Sequence, residues 1–310
     1  MSTADNNRDD DIPPDICANC GKGEDSSSSL MTCTACKMVK YCSRDCQIAH
    51  RPRHKKECRR RAKELHDIEL FKQPPQYDDC PICFERLPTL QTGWRYQPCC
   101  GKTICSGCFD APVYDDQGKR VDEQKCAFCR TPTPESNEEA VKRLKKRFAA
   151  GDAEAIHITG CYYYQGKDGF SQDYVSALEL WHRAGELGHS GAYNNLGYAF
   201  KNSDDVERDE KKAVYYWELA AMQGSVMARH CLGVMERSAG NTDRALKHFM
   251  IAARSGSAES LETIKQMYSK GHAKKEDYTE ALRSYQEYLG DIKSSQRDKA
   301  AAAKEEYRYY

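Results

Sequence analysis

The feature that most constrains this chain is the spacing of its cysteines between residues 17 and 58. The stretch reads Cys17-x-x-Cys20, then Cys33-x-x-Cys36, Tyr41-Cys42-x-x-x-Cys46 and His54-x-x-x-Cys58. Seven cysteines and one histidine in 42 residues make eight ligands, enough for two tetrahedral zinc ions. A segment this short buries too little apolar surface to fold alone, and bound metal supplies the missing stability. The Cys-x-x-Cys knuckle turns two thiolates toward one point, and His54 and Cys58, at i and i+4, share one face of a helix.

A disulfide-rich secreted module is the other use of such cysteine density. The first ten residues, Met-Ser-Thr-Ala-Asp-Asn-Asn-Arg-Asp-Asp, are polar and acidic and lack the apolar centre of a signal peptide. The expectation is an intracellular protein, cytoplasmic or nuclear, in which clustered cysteines bind metal. No run reaches the ~18 apolar residues of a spanning helix, so no membrane partner is expected.

Four ligand pairs in this order, with the pieces Tyr41-Cys42-Ser43 and Cys46-Gln47, resemble the MYND zinc finger. That resemblance implies that the first and third pairs share one ion, Cys17, Cys20, Cys42 and Cys46. The second and fourth pairs, Cys33, Cys36, His54 and Cys58, share the other. Arg51 stands where many members of that family carry tryptophan. His50, one turn before His54, is an alternative ligand.

A second cysteine cluster runs from Cys80-Pro81-Ile82-Cys83 through Cys99-Cys100-Gly101 and Cys105-Ser106-Gly107-Cys108 to Cys126-Ala127-Phe128-Cys129-Arg130. Its order and spacing resemble a RING finger. By that analogy Cys80, Cys83, Cys105 and Cys108 bind one ion, and Cys99, Cys100, Cys126 and Cys129 bind another. A RING finger has a histidine near position 102, yet none occurs between residues 67 and 156. Either both adjacent cysteines ligate, in a tight turn eased by Pro98 and Gly101, or the second site is incomplete. The tally favours ligation by both. Of 17 cysteines, fifteen lie in the two clusters, and with His54 they make sixteen ligands, the number four structural Zn2+ ions require. The remaining pair, Cys161 and Cys231, fall in predicted helices and read as small buried hydrophobes.

From Gly151 an internal repeat takes over. Ala177, Trp181, Ala184 and Gly188 recur as Ala213, Trp217, Ala220 and Gly224, then as Ala245, Phe249, Ala252 and Gly256, with a degenerate fourth copy at Ala281, Tyr285 and Tyr288. A second signature alternates with it, from Ala155 to Gly160, Ala192 to Gly197, Ala228 to Gly233 and Ser260 to Ile264. Two helices per ~36 residues predict an α-solenoid. The third copy is shorter by four residues near Gly240-Asn241. The phrasing, as in Ala192-Tyr-Asn-Asn-Leu-Gly197, resembles Sel-one-like repeats, relatives of tetratricopeptide repeats. The order of MYND finger, RING-like finger and Sel-one-like repeats also resembles an expanded protein set in diatoms and related microbial eukaryotes.

The predicted fold is therefore mainly α, with two small zinc-stabilised modules followed by a solenoid of helix pairs. Residues 1–15 read as disordered, 16–72 as the MYND-type finger with a trailing helix, and 73–134 as the RING-like finger. A linker helix follows over 135–150, with Ser136 as its cap and a Val141, Leu144, Phe148 stripe docking on the next domain. The repeats span 151–290, and 291–310 is a tail that frays or caps.

Cysteines tied to zinc are not free nucleophiles, and full ligand sets leave no open position for catalysis. The expectation is an adaptor that binds proteins or peptides on the solenoid and catalyses nothing. The alternative is a RING-type ubiquitin ligase. In that family a hydrophobe after the first knuckle contacts the conjugating enzyme, and Ile82 stands there; an arginine after the last ligand locks the charged conjugate, and Arg130 stands there. Ala127 replaces the usual proline. Lys plus Arg equals Asp plus Glu at 47 each, so no global field points to nucleic acid. The run from Arg51 to Lys63, eight basic residues against Glu57, reads as a solvated helix face. Tyr162, Tyr163, Tyr193 and Tyr198 are either solenoid core or a concave peptide-binding face.

Overall fold

The structure, a computed structural model, describes residues 15–24, 29–75, 78–89, 91–114, 117, 120–121 and 125–310. The disorder expected over 1–15 therefore falls, except for Asp15, outside the described residues, as does part of the insert expected between the first two knuckles. Two compact units make up the chain, Met1–Lys72 and Gln73–Tyr310. Among the described residues no helix is long and apolar enough to cross a membrane.

In the first unit the two-stranded ribbon β1 (Met31–Thr32) and β2 (Lys40–Tyr41) leads into the long helix α1 (Arg44–Leu70). Ser43 caps that helix by accepting the Cys46 N–H, and Pro52 sits within its interior. Its hydrophobic core consists of Cys17, Leu30, Cys33, Cys36 and Tyr41. So few apolar side chains cannot hold a fold of this length, which is the physical case for metal.

The second unit opens with another cysteine-rich module. Strands β3 (Trp94–Gln97) and β4 (Lys102–Cys105) pair antiparallel, the short helix α2 (Ser106–Asp110) follows, and the ribbon β5 (Val113–Tyr114) and β6 (Arg120–Val121) completes the sheet content. Helix α3 (Asn137–Ala149) starts at Ser136, whose hydroxyl accepts the Glu139 N–H, and it buries Leu144.

The solenoid is four helix pairs: α4 (Ala153–Gln165) with α5 (Tyr174–Glu186), α6 (Ser190–Asn202) with α7 (Glu210–Met222), α8 (Val226–Ser238) with α9 (Thr242–Arg254), and α10 (Ala258–Ser269) with α11 (Lys275–Ile292). The sequence signatures acquire a cause here. Gly160, Gly197 and Gly233 are notches on the first helix of a pair, and the aromatic ring of the second helix fills each one. A Cβ on Gly160 would lie 2.8 Å from the Trp181 ring, and one on Gly233 would lie 2.6 Å from Phe249. Trp217 fills the Gly197 notch in the same way. In the fourth pair the notch position is Lys265, Tyr285 keeps an aromatic ring, and Tyr288 stands where the other copies have alanine.

The recurrent Gly188, Gly224 and Gly256 have φ of +93°, +98° and +99° and end the second helix of each pair in the left-handed conformation. The next residue, His189, Ser225 or Ser257, sends its N–H back to the carbonyl of Ala184, Ala220 or Ala252 and caps the following helix with its side chain. The chain thus turns between repeats in three residues. At the corresponding place in the fourth copy stands Ile292, fully buried, and the repeats stop. The shortened third copy has a connection of only three residues, Ala239–Asn241, between α8 and α9.

The tail, expected to fray or cap, forms α12 (Ser295–Ala303) and packs on α2 of the second cysteine module. That module is fixed at both ends of the solenoid. The Tyr96 hydroxyl donates to Asp152 at 2.9 Å beside the first repeat, and Thr89 binds Tyr288 in the last.

Candidate metal centres and their surroundings

Four Cys-x-x-Cys knuckles share one local geometry. In each the residue after the second cysteine sends its N–H to the carbonyl of the first: Gly21 to Cys17, Lys37 to Cys33, Phe84 to Cys80 and Arg130 to Cys126, at 2.8–2.9 Å. That residue is left-handed in every case, with φ of +74°, +58°, +58° and +62°. Only one of the four is glycine. Lys37, Phe84 and Arg130 hold a conformation that side chains disfavour by about 1–2 kcal/mol, and the knuckle imposes it.

The ligand atoms come together in four groups, each with all atoms within 4.8 Å of one another: Cys17, Cys20, Cys42 and Cys46; Cys33, Cys36, His54 and Cys58; Cys80, Cys83, Cys105 and Cys108; Cys99, Cys100, Cys126 and Cys129. In both modules the groups interleave along the chain. Sulfur pairs lie at 3.5 Å (Cys20–Cys42), 3.8 Å (Cys33–Cys58), 3.8 Å (Cys83–Cys105) and 3.4 Å (Cys99–Cys129), and His54 Nε2 lies 3.2 Å from Cys36. A disulfide needs about 2.05 Å, whereas a tetrahedron of ~2.3 Å zinc–sulfur bonds has edges of about 3.8 Å. The spacing fits tetrahedral ligation and not disulfide bonding.

Helix α1 supplies three of the eight ligands of the first unit, Cys46 from its first turn and His54 and Cys58 one turn apart further on, and Cys42 stands just before its cap. His50 does not join them. Its Nδ1 lies 3.1 Å from the Tyr41 hydroxyl, and its ring stacks on His54 at 5.4 Å. In the second module Cys105 ends β4 and caps α2, its sulfur accepting the Cys108 N–H at 3.4 Å. The adjacent Cys99 and Cys100 face the same group because Gly101, at φ +70°, closes a turn onto the Gln97 carbonyl at 2.8 Å. The ligand atoms of this group are all sulfur, with Cys99 and Cys100 both among them.

Metal ligation needs thiolates, and each group contains one thiol held below its ordinary value. Burial pushes Cys17 up, yet N–H groups of Cys20, Cys42 and Asn19 hold it at about 6. Cys33 is lowered against its burial by the N–H groups of Cys36 and Ala35. The Cys105 thiol, helped by N–H groups of Cys105, Cys83 and Ile82, holds Cys80 at about 4. Cys129, despite burial, is held at about 6 by Thr131, whose Oγ1 lies 3.2 Å from the sulfur.

Sequence reasoning missed Arg297. This side chain is fully buried beneath the second module, donating to the Ile292 carbonyl at 2.6 Å and the Glu85 carbonyl at 3.3 Å. Burial lowers its affinity for the proton, but interaction with Cys105 and the nearby Cys83 and Glu85 raises it above the ordinary value. A buried guanidinium without a carboxylate partner is costly. A metal tetrathiolate, with its net negative charge, is the counter-ion this pocket would accommodate. Gly107 makes the approach possible, since a Cβ there would lie 2.8 Å from the Arg297 nitrogen. No signal in the local sequence links residue 297 to a cysteine cluster nearly two hundred positions away.

One further group of ligand-type side chains, Glu154, His157 and His189, comes together from adjacent repeats. The histidines show no metal spacing along the sequence because they pair only across the solenoid. His189 Nδ1 accepts the Ala192 N–H at 3.0 Å as a helix cap, which leaves the proton on Nε2 to donate to Glu154 at 2.8 Å. A metal on Nε2 would require that cap to break. His189 hydrogen-bonds Glu154, and His157 Nδ1 lies 3.8 Å from the same carboxylate, which is pushed up by burial but drawn down to about 2 by the two histidines.

Ile82 packs half-buried against the core of the second module, while Arg130 is exposed. The large exposed hydrophobes there are Phe84 and Phe128. Of the four tyrosines, Tyr193 is buried against Gly185, and Tyr198 accepts the Cys231 thiol at 3.1 Å. Tyr162 and Tyr163 pack on Phe170.

The MYND finger family model matches residues 17–58, and the Sel1 repeat model matches residues 153–189 and 190–225. The chain carries a MYND finger and Sel1 repeats. The MYND finger is a zinc-binding module, and the matched repeats coincide with the first two helix pairs. No curated protein matches the chain. Among solved structures it is similar to a Sel1 repeat protein from Oxalobacter formigenes, at 26% identity over 56% of this chain and 68% of that one, with a TM-score of 0.44. It is also similar to c5321, a protective antigen of uropathogenic Escherichia coli with an SLR fold, at 25% identity over 52% of this chain and 35% of that one, TM-score 0.42.

Proposed function

We propose that this MYND and Sel1 repeat protein is a non-enzymatic protein-interaction adaptor shaped by four structural zinc ions, two in the MYND finger and two in the second, RING-like module. The observation that carries this reading is closure. Each of the four groups offers four protein ligands, so each ion would have a full shell and no position for substrate or water. The second module then acts as a rigid bracket that holds the first and last repeats at a fixed spacing, through Tyr96 and Asp152 at one end and Thr89 and Tyr288 at the other. Proteins or peptides are the partners, since Sel1 repeats serve protein interaction.

The competing ligase reading is weakened by the position of Ile82, which faces the module's own core. An autoubiquitination assay with a panel of conjugating enzymes tests the proposal. The adaptor transfers no ubiquitin with any of them. Transfer that is lost in Cys80→Ser and slowed in Arg130→Ala would overturn the adaptor reading in favour of a ligase.

A further inference from the structure

The MYND finger presents a groove of 450 Å³ along α1, lined in part by the ligand residues Cys33, His54 and Cys58, and its other charged side chains are all basic. Arg44, Arg51, Lys55 and Arg59 line it, and no carboxylate does. These positions are seven, four and four residues apart and fall on one helical face, along about 22 Å of helix. Among the described residues none of the four forms an ion pair. Two carboxylates of this helix are engaged elsewhere: Glu57 pairs with Arg60, and Glu64 with Arg60 and Arg61. An apolar side chain, Ile48, 58% exposed, also lines the groove, together with Tyr41.

We infer that this groove is a docking surface for an acidic protein segment carrying an aliphatic side chain. The inference rests on the adaptor reading and names the partner class of its first zinc module. Four unpaired cations in a row repel one another and are relieved by an anionic strand. At ~3.3 Å per residue an extended segment of about seven residues spans them. The aliphatic requirement comes from Ile48, an exposed hydrophobe that only an apolar side chain can cover. Nucleic acid fits less well. Single strands are held by exposed aromatic faces together with cations, and Tyr41 is 98% shielded from solvent, with 2% of its surface exposed. Arg51, the departure from the tryptophan of many MYND fingers, lies at the centre of the cation row.

Fluorescence anisotropy of the full-length, zinc-loaded, reduced protein tests this with three labelled probes. They are a short Asp/Glu peptide with one central leucine, its Asn/Gln counterpart with the same leucine, and a single-stranded oligonucleotide. The acidic peptide should bind best, and its affinity should fall as salt rises. The double variant Arg51→Glu/Lys55→Glu should weaken it by about tenfold or more. Arg53→Glu/Lys56→Glu, the same charge change on the same helix but off the groove, should weaken it far less. Zinc content and circular dichroism establish that each variant is folded, and the milder Arg51→Gln/Lys55→Gln reads the same surface if the reversals do not fold. Tighter binding of the oligonucleotide, equal binding of the neutral peptide, or equal loss in both double variants would each overturn the inference. Any of these would leave the adaptor reading standing, because that reading is tested separately, by ubiquitin transfer.

Discussion

The backbone N–H of Thr89 donates to the phenolic oxygen of Tyr288 at 2.9 Å, and the Tyr288 hydroxyl donates in turn to Thr89 Oγ1, also 2.9 Å away. Thr89 Oγ1 passes its own proton to the Ser255 carbonyl at 3.0 Å. A residue of the second cysteine module is thereby tied to a residue of the degenerate repeat. Tyr288→Phe removes the acceptor from a half-buried N–H, which costs about 1–3 kcal/mol. Urea denaturation should show that loss, together with faster hydrogen exchange at Thr89. Unchanged stability and exchange would mean that the bond does not anchor the module.

The glycine notches give a paired prediction. Gly197→Ala drives a methyl into the Trp217 ring and should destabilise by about 1–3 kcal/mol. Gly290→Ala, on an exposed stretch of α11 with no atom near the added methyl, should stabilise by up to about 1 kcal/mol. Thermal melts of the two variants should move in opposite directions.

The left-handed knuckle residue makes a similar contrast. Phe84 is 78% exposed, so its replacement loses little packing. Phe84→Gly should be neutral or slightly stabilising, while the β-branched Phe84→Val should cost about 1 kcal/mol or more. Denaturation midpoints with zinc present measure the difference; equal midpoints would mean that the knuckle is not strained at Phe84.

His248 links the solenoid to pH. Burial, with help from the nearby positive charges of Arg229 and Arg244, lowers it from 6.5 to about 3. The folded state then binds fewer protons than the unfolded state between these values, so stability rises with pH across that window. Acidification below about pH 6.5 should cost up to ~1.4 kcal/mol per unit from this one residue. His248→Gln should flatten the slope measured between pH 6.5 and 5.5, whatever its effect at pH 7. An identical slope would place the titration elsewhere.

How much of this was legible follows from range. The knuckles, the α1 pair His54 and Cys58, and the Ala–aromatic–Ala faces are local, with partners at fixed short spacings, and they stand out in the chain. The paired MYND ligands followed from a family resemblance and not from spacing alone. Arg297, Thr89 with Tyr288, and the group of Glu154, His157 and His189 join residues from different elements, and nothing in the immediate sequence marks them. Lys37, Phe84 and Arg130 were hidden for another reason. The sequence signal for a left-handed residue is glycine, and the knuckle overrides that preference.

The roles proposed for both cysteine modules require that the four ligand groups be four metal sites. Native mass spectrometry of the reduced full-length protein, purified without chelator, measures this directly. The expected result is four zinc ions per chain, falling to three or fewer in Cys99→Ser/Cys100→Ser. A folded wild-type chain that carries only two or three zincs would contradict it.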